Sequence, residues 1–126
     1  MGKISVLVVT DDPRRLAYLR KTVDDKINIL GAYNDDEAEK IIKNIPGINI
    51  VSIDVNVTSP GGKIDPQSFL RCIVSSSLER IPITISIFDD LFFMKRAMMP
   101  GFELKCTWDE LPQMIFEISD LIDLIW

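Results

Sequence analysis

The chain has no histidine. That excludes serine–histidine and cysteine–histidine nucleophilic pairs and any histidine-ligated metal centre. Cysteine is scarce too. Cys72 and Cys106 are the only two, and their spacing suits neither a ligand set nor a disulfide framework. Basic residues are outnumbered, 14 Lys and Arg against 19 Asp and Glu, for a formal net charge of −5. No basic stripe suited to neutralising phosphates stands out, so nucleic acid is not an expected partner. No apolar run reaches the ~20 residues of a membrane span. Met1-Gly2-Lys3 leads straight into an apolar run without a signal-peptide pattern. The expectation is a cytoplasmic protein with reduced thiols and no membrane association. Glycine fingerprints are missing as well. Thr10-Asp11-Asp12 stands where a dinucleotide-binding turn would put its glycines. Gly61-Gly62-Lys63 lacks the first glycine and the following Ser or Thr of a phosphate loop. No organic cofactor is expected.

What is present reads as one globular domain over residues 1–126, 47% hydrophobic and 26% charged. Five short apolar runs alternate with amphipathic segments. Ile4 to Val9 is the first strand, and Thr10-Asp11-Asp12-Pro13 stops it. Asp12 can cap the next helix with Pro13 at its first position. Leu16, Leu19 and Val23 form that helix's buried stripe, while Arg14, Arg15, Arg20 and Lys21 read as a solvated face. Ile27 to Tyr33 is strand two. Asn34 and Glu37 form a capping pair before Ala38, Ile41, Ile42 and Ile45, which recur at helical spacing until Pro46-Gly47.

Strand three runs from about Ile48 to Asp54, and a Ser, Thr, Gly and Pro-rich loop follows from Val55 to Ile64. A helix opening at Asp65-Pro66 turns Phe69, Leu70, Ile73 and Val74 inward. Ile81 to Ile87 is strand four, with Thr84 and Ser86 on one face. Asp89-Asp90 opens a short helix that ends at Pro100-Gly101. Phe102 to Thr107 is strand five. The last helix starts at Asp109 as N-cap, with Pro112 in its first turn. Strands joined by helical crossovers give a parallel sheet in a three-layer α/β/α sandwich.

Function centres on Ile50 to Asp54. It reads as a strand buried on both faces that ends on a carboxylate. In open α/β sheets, ligands bind outside the carboxyl ends of the strands. If the first and third strands are both central, Asp54 and Asp11 share one crevice.

The repeated βα pattern, Val8-Val9-Thr10-Asp11-Asp12-Pro13, Asp54-Val55-Asn56, Ile81-Pro82-Ile83 and the late Gly101 resemble a response-regulator receiver domain over nearly the whole chain. The resemblance implies a flavodoxin-like, doubly wound sheet of order 2-1-3-4-5. It implies a phosphoryl group accepted on Asp54 from a histidine kinase, at most with autodephosphorylation as an activity. It also implies a Mg²⁺ site built from Asp11, Asp54 and the carbonyl of Asn56, with Asp12 as a further candidate ligand. Mg²⁺ wants about six oxygens in tight octahedral geometry.

The chain departs from that pattern at several positions. Thr10 stands where the family has an acid, which implies weak Mg²⁺ binding. Counting from Ile81-Pro82 puts the family's switch hydroxyl at Ile87; counting back from Gly101 puts it at Ser86. The family's lysine position falls on Trp108, read here as a core aromatic.

Leu91-Phe92-Phe93-Met94 with Met98-Met99 is more apolar than one buried helix face requires. Phe92, Phe93, Met94 and Met98 are therefore candidates for an interaction surface, which the resemblance to receivers implies takes in the fourth helix, the fifth strand and the last helix. The reading is a degenerate receiver, a pseudo-receiver working through contacts with other signalling proteins or as a homodimer through that surface. Two alternatives stand beside it: a working phosphoacceptor, and a flavodoxin-like small-ligand binder using the Thr58-Ser59-Pro60-Gly61-Gly62 loop.

Overall fold

Strand β1 (Ile4–Val9) is flanked on one side by β2 (Ile27–Ala32) and on the other by β3 (Ile50–Asp54). β4 (Ile83–Phe88) and β5 (Leu104–Thr107) extend the sheet beyond β3, giving the order β2-β1-β3-β4-β5 with every pairing parallel. Four helices complete the described architecture: α1 (Pro13–Thr22), α2 (Asp35–Asn44), α3 (Pro66–Ser76) and α4 (Leu111–Ile125). The computed structural model describes residues 4–23, 26–45, 47–54, 66–76, 81–88 and 103–125. The expected helix between Asp89 and Gly101 and the loop from Val55 to Ile64 lie outside them. No described helix is long and apolar enough to cross a membrane.

The period-two alternation of the strands sorts the core into two layers. Val6, Val8, Ile50, Ile85, Ile87 and Cys106 face one side, where Leu16 and Leu19 of α1 and Leu111, Ile115, Ile118 and Ile122 of α4 cover them. Leu7, Val9, Val51 and Ile53 face the other, under Ala38 and Ile42 of α2 and Phe69 and Ile73 of α3. Each fully buried Ile or Leu contributes roughly 1.5–3 kcal/mol. Because β1 and β3 are covered on both faces, their ends are held rigidly, and those ends carry Thr10 and Asp54.

Helix boundaries follow local chemistry. The Asp12 side chain accepts from the Arg14 N–H at 3.0 Å, and Pro13 stands at N1 of α1. Asn34 Oδ1 accepts from the Glu37 N–H at 2.9 Å, and the Glu37 carboxylate reaches back to the Tyr33 N–H at 3.0 Å. Gly47 adopts φ +85° just after α2, a conformation that favours glycine.

Three expectations are corrected. Ile45 leaves the helix as the extended C-cap of α2 and is exposed. Val74 lies one residue past Ile73, off the inward stripe of α3, and is 54% exposed. The last helix begins at Leu111, not directly after Asp109. Glu110 Oε1 instead accepts the Thr107 N–H and hydroxyl, each at 3.0 Å, and closes the turn before it.

Candidate functional site

Asp54 is the last residue of β3 and is 2% exposed. A buried carboxylate is costly unless it is hydrogen-bonded. The Thr10 hydroxyl donates to Asp54 Oδ2 at 3.0 Å. The same hydroxyl oxygen accepts the Asp12 N–H at 3.2 Å. Thr10 is itself fully buried, and its own N–H donates to the Ala32 carbonyl at 3.0 Å. Thr10 thus joins the β1 end, the following turn and Asp54 in one hydrogen-bonded unit. Sequence reading took Thr10 only as an acid lost; the available signal was a hydroxyl residue directly before the acidic turn.

Register decides between the two candidates for the switch hydroxyl. Asp54 pairs with Ile87, and Ile53 pairs with Ser86. Paired residues in a parallel ladder share a face, and neighbours alternate. Ile87 therefore lies on the Asp54 side. Ser86 faces the opposite side of the sheet and donates to the Leu104 carbonyl at 3.4 Å. The candidacy of Ser86 is corrected on that ground, and the residue beside Asp54 on β4 has no hydroxyl.

Asp12 is engaged at the helix start. Its carboxylate turns onto the start of α1, where it caps Arg14 and pairs with the Arg14 and Arg15 guanidinium groups at 3.5 and 3.6 Å. Desolvation pushes the Asp12 carboxyl up, but Arg14 outweighs it through its backbone N–H and its charge, aided by the Arg15 N–H. The net shift is downward. Asp11 is exposed in the turn. Among the described residues, no three acidic or thiol side chains come together as a metal-holding group. A receiver-type Mg²⁺ site draws on clustered carboxylates. Here the Thr10 hydroxyl donates to one Asp54 oxygen and Asp12 serves the helix, while the set of Asp11, Asp54 and the Asn56 carbonyl that the resemblance implies includes a residue outside those described. Asn56, Phe92, Phe93, Met94 and Met98 lie outside the described residues, as does the Thr58–Gly62 loop.

Trp108 follows β5 and packs against the α1–α4 layer of the core. The Arg15 guanidinium lies over its ring at 5.2 Å, a cation–π contact. Its Nε1 is buried without a hydrogen-bond partner among the described residues. Asp12, Arg14, Arg15, Tyr18, Trp108 and Asp109 line a shallow depression of about 500 Å³. Trp108 thus stacks with an arginine of α1, a contact that the sequence reading missed.

No protein-family model matches the sequence, and no curated protein matches it. Solved structures do. The chain is similar to one in the crystal structure of the P1 domain of CheA3 in complex with CheY6 from R. sphaeroides. The TM-score is 0.73 at 15% identity, covering 95% of this chain and 99% of that one. It is similar to a response regulator from Thermotoga maritima, with TM-score 0.69, 17% identity and coverage of 92% and 97%. A third similarity is to the co-crystal structure of the Saccharomyces cerevisiae phosphotransfer protein Ypd1 with the receiver domain of Ssk1. Its TM-score is 0.59 at 23% identity, with coverage of 84% and 79%. The chain has the flavodoxin-like fold of these receiver domains, and its strand order agrees with it.

Proposed function

We propose that this chain is a cytoplasmic signal-transduction module that works through protein–protein contact, with an impaired aspartyl-phosphorylation switch. One observation carries the reading. Asp54, which the resemblance implies as the acceptor, ends β3 and is buried with the Thr10 hydroxyl donating to it. Across from it on β4 stands Ile87 in place of a hydroxyl residue. An incoming phosphoryl group needs its developing charge neutralised. Thr10 and Trp108 supply no charge for that, and Ile87 supplies no hydrogen bond to read it out.

The partner is another signalling protein. CheY6 was crystallised with a P1 domain and the Ssk1 receiver with Ypd1, and both complexes support that choice. The β5 side of the molecule, where Glu103, Leu104 and Lys105 are exposed, offers a surface for a downstream target. Without a working switch, this surface is available constitutively.

The retained Asp54 favours a second reading, in which it remains a carboxylate nucleophile able to form an acyl phosphate with Mg²⁺ and a kinase donor. Incubation with a small phosphodonor and Mg²⁺, read by intact mass, tests the two. The expected outcome is no phosphoryl adduct. Rapid stoichiometric phosphorylation that Asp54→Ala abolishes would overturn the proposal in favour of the phosphoacceptor.

A further inference from the structure

Charge is segregated in the helical layer formed by α1 and α4. Helix α1 carries Arg14, Arg15, Arg20 and Lys21 and no acidic residue, in a chain whose net charge is −5. Helix α4 carries Glu117, Asp120 and Asp123 and no basic residue. The two helices cover the same sheet face and share one core cluster. The 3.6-residue repeat places Arg14, Tyr18 and Lys21 on an outward stripe of α1, away from buried Leu16 and Leu19. It places Glu117 and Asp120 outward on α4, away from Ile115, Ile118 and Ile122. Among the described residues, Tyr18 on α1 and Leu121 on α4 are large apolar side chains exposed at 57% each.

Little among the described residues neutralises these stripes. Among the described residues, Lys21, Glu117 and Asp120 form no ion pair, and Arg14, with 92% of its side chain exposed, pairs only with its neighbour Asp12. The complement of each stripe is therefore carried by the other helix of the same layer.

We propose that a second copy of this chain docks on the α1–α4 face, with α1 of each protomer against α4 of its partner. A twofold axis running along the helices exchanges the two elements, so each basic stripe meets an acidic one. That contact is isologous and closes at a dimer. A twofold axis across the helices would set α1 on α1 and is disfavoured by like charge. Tyr18 and Leu121 add apolar contact within a charged frame. The dimer leaves the β5 side open for a target, and it does not depend on the chemistry of Asp54.

Sedimentation velocity at low ionic strength tests the proposal with two double variants. One is Arg14→Glu with Lys21→Glu, the other Glu117→Lys with Asp120→Lys. All four positions are exposed, so both variants should fold, and melting curves check this. The wild type sediments as a dimer that loosens as salt is raised. Each variant alone dissociates at least about tenfold more readily. An equimolar mixture dimerises again, because both contacts in the mixed pair are then complementary. Three outcomes would overturn the proposal. The wild type could be monomeric at high concentration and low salt. The variants could dimerise as the wild type does, placing the interface elsewhere. Or the mixture could stay monomeric, leaving the basic stripe for a different partner.

Discussion

The hydroxyl of Thr10 donates to Asp54 Oδ2 across 3.0 Å and ties together the ends of two central strands that are 44 residues apart in the chain. Both partners are buried, and the hydroxyl also accepts the Asp12 N–H. Its loss therefore strips a donor from a buried carboxylate and an acceptor from the turn. A buried group left unsatisfied costs more than the net worth of the bond.

Thr10→Val keeps the shape and removes the hydroxyl. The expected loss is about 1–3 kcal/mol of stability, seen as a lower urea midpoint with unchanged slope. Thr10→Ser retains the bond and should recover most of that loss. A neutral Thr10→Val would show that the hydroxyl contributes nothing to holding Asp54.

Two turns should respond to acid. At the start of α1, desolvation of Asp12 is outweighed by donation and charge from Arg14, which hold its carboxyl below the ordinary range. Glu110 is held down by the backbone N–H and then the hydroxyl of Thr107, against a smaller desolvation effect. With folded values depressed, the unfolded chain takes up protons first. The stabilising contribution is then complete above the ordinary carboxylate range and fades as pH falls through the folded values. Amide exchange at Arg14 and Thr107 should accelerate selectively at acid pH. Asp12→Asn keeps a capping side chain and should remove the acid dependence at Arg14 alone.

Cys106 should behave as an inert thiol. Desolvation first, and then the Glu110 charge, push it up to about 12. The residue is 1% exposed, whereas Cys72 is half-buried. Folding therefore favours the neutral thiol. Its contribution is complete below the ordinary thiol range and is lost as pH rises from there to about 12. A thiol reagent at mildly alkaline pH should label Cys72 in the folded protein and Cys106 only after urea is added. Equal labelling rates would contradict the burial of β5.

The five strands and the parallel α/β/α layering were legible in the sequence, because apolar runs ending in acidic turns have a clear period and length, whereas the strand order came from the resemblance to receiver domains and the observed sheet agrees with it. The helix caps at Asp12 and Asn34 were legible because capping is local. The site was only partly so. Whether Ser86 or Ile87 faces Asp54 depends on a one-residue register, and such a slip reverses every face. The Thr10–Asp54 bond and the Arg15–Trp108 contact join residues far apart in the chain. Only the parallel topology brings them together. Val74 and Ile45 misled because a helical period alone does not say where a helix ends or which edge of its stripe meets the sheet.

Thr10→Asp tests whether the hydroxyl is what disables the acidic site. The substitution replaces a donor with a second carboxylate beside buried Asp54. Like charges at that distance repel, and the pair is relieved only by protonation or by a cation. In chelator, the variant should melt below the wild type. A ligand that binds only the folded state stabilises it by mass action. Millimolar Mg²⁺ should therefore raise the melting temperature of Thr10→Asp by several degrees, each kcal/mol being worth about 4 °C, and leave the wild type almost unmoved. Adding Ile87→Thr restores a hydroxyl opposite Asp54 and should not change this Mg²⁺ response, because a hydroxyl on β4 acts on a phosphoryl group and not on the metal. A wild type that gains as much from Mg²⁺ as Thr10→Asp would show that Thr10 leaves the acidic site intact, and the impaired-switch reading would lose its physical basis.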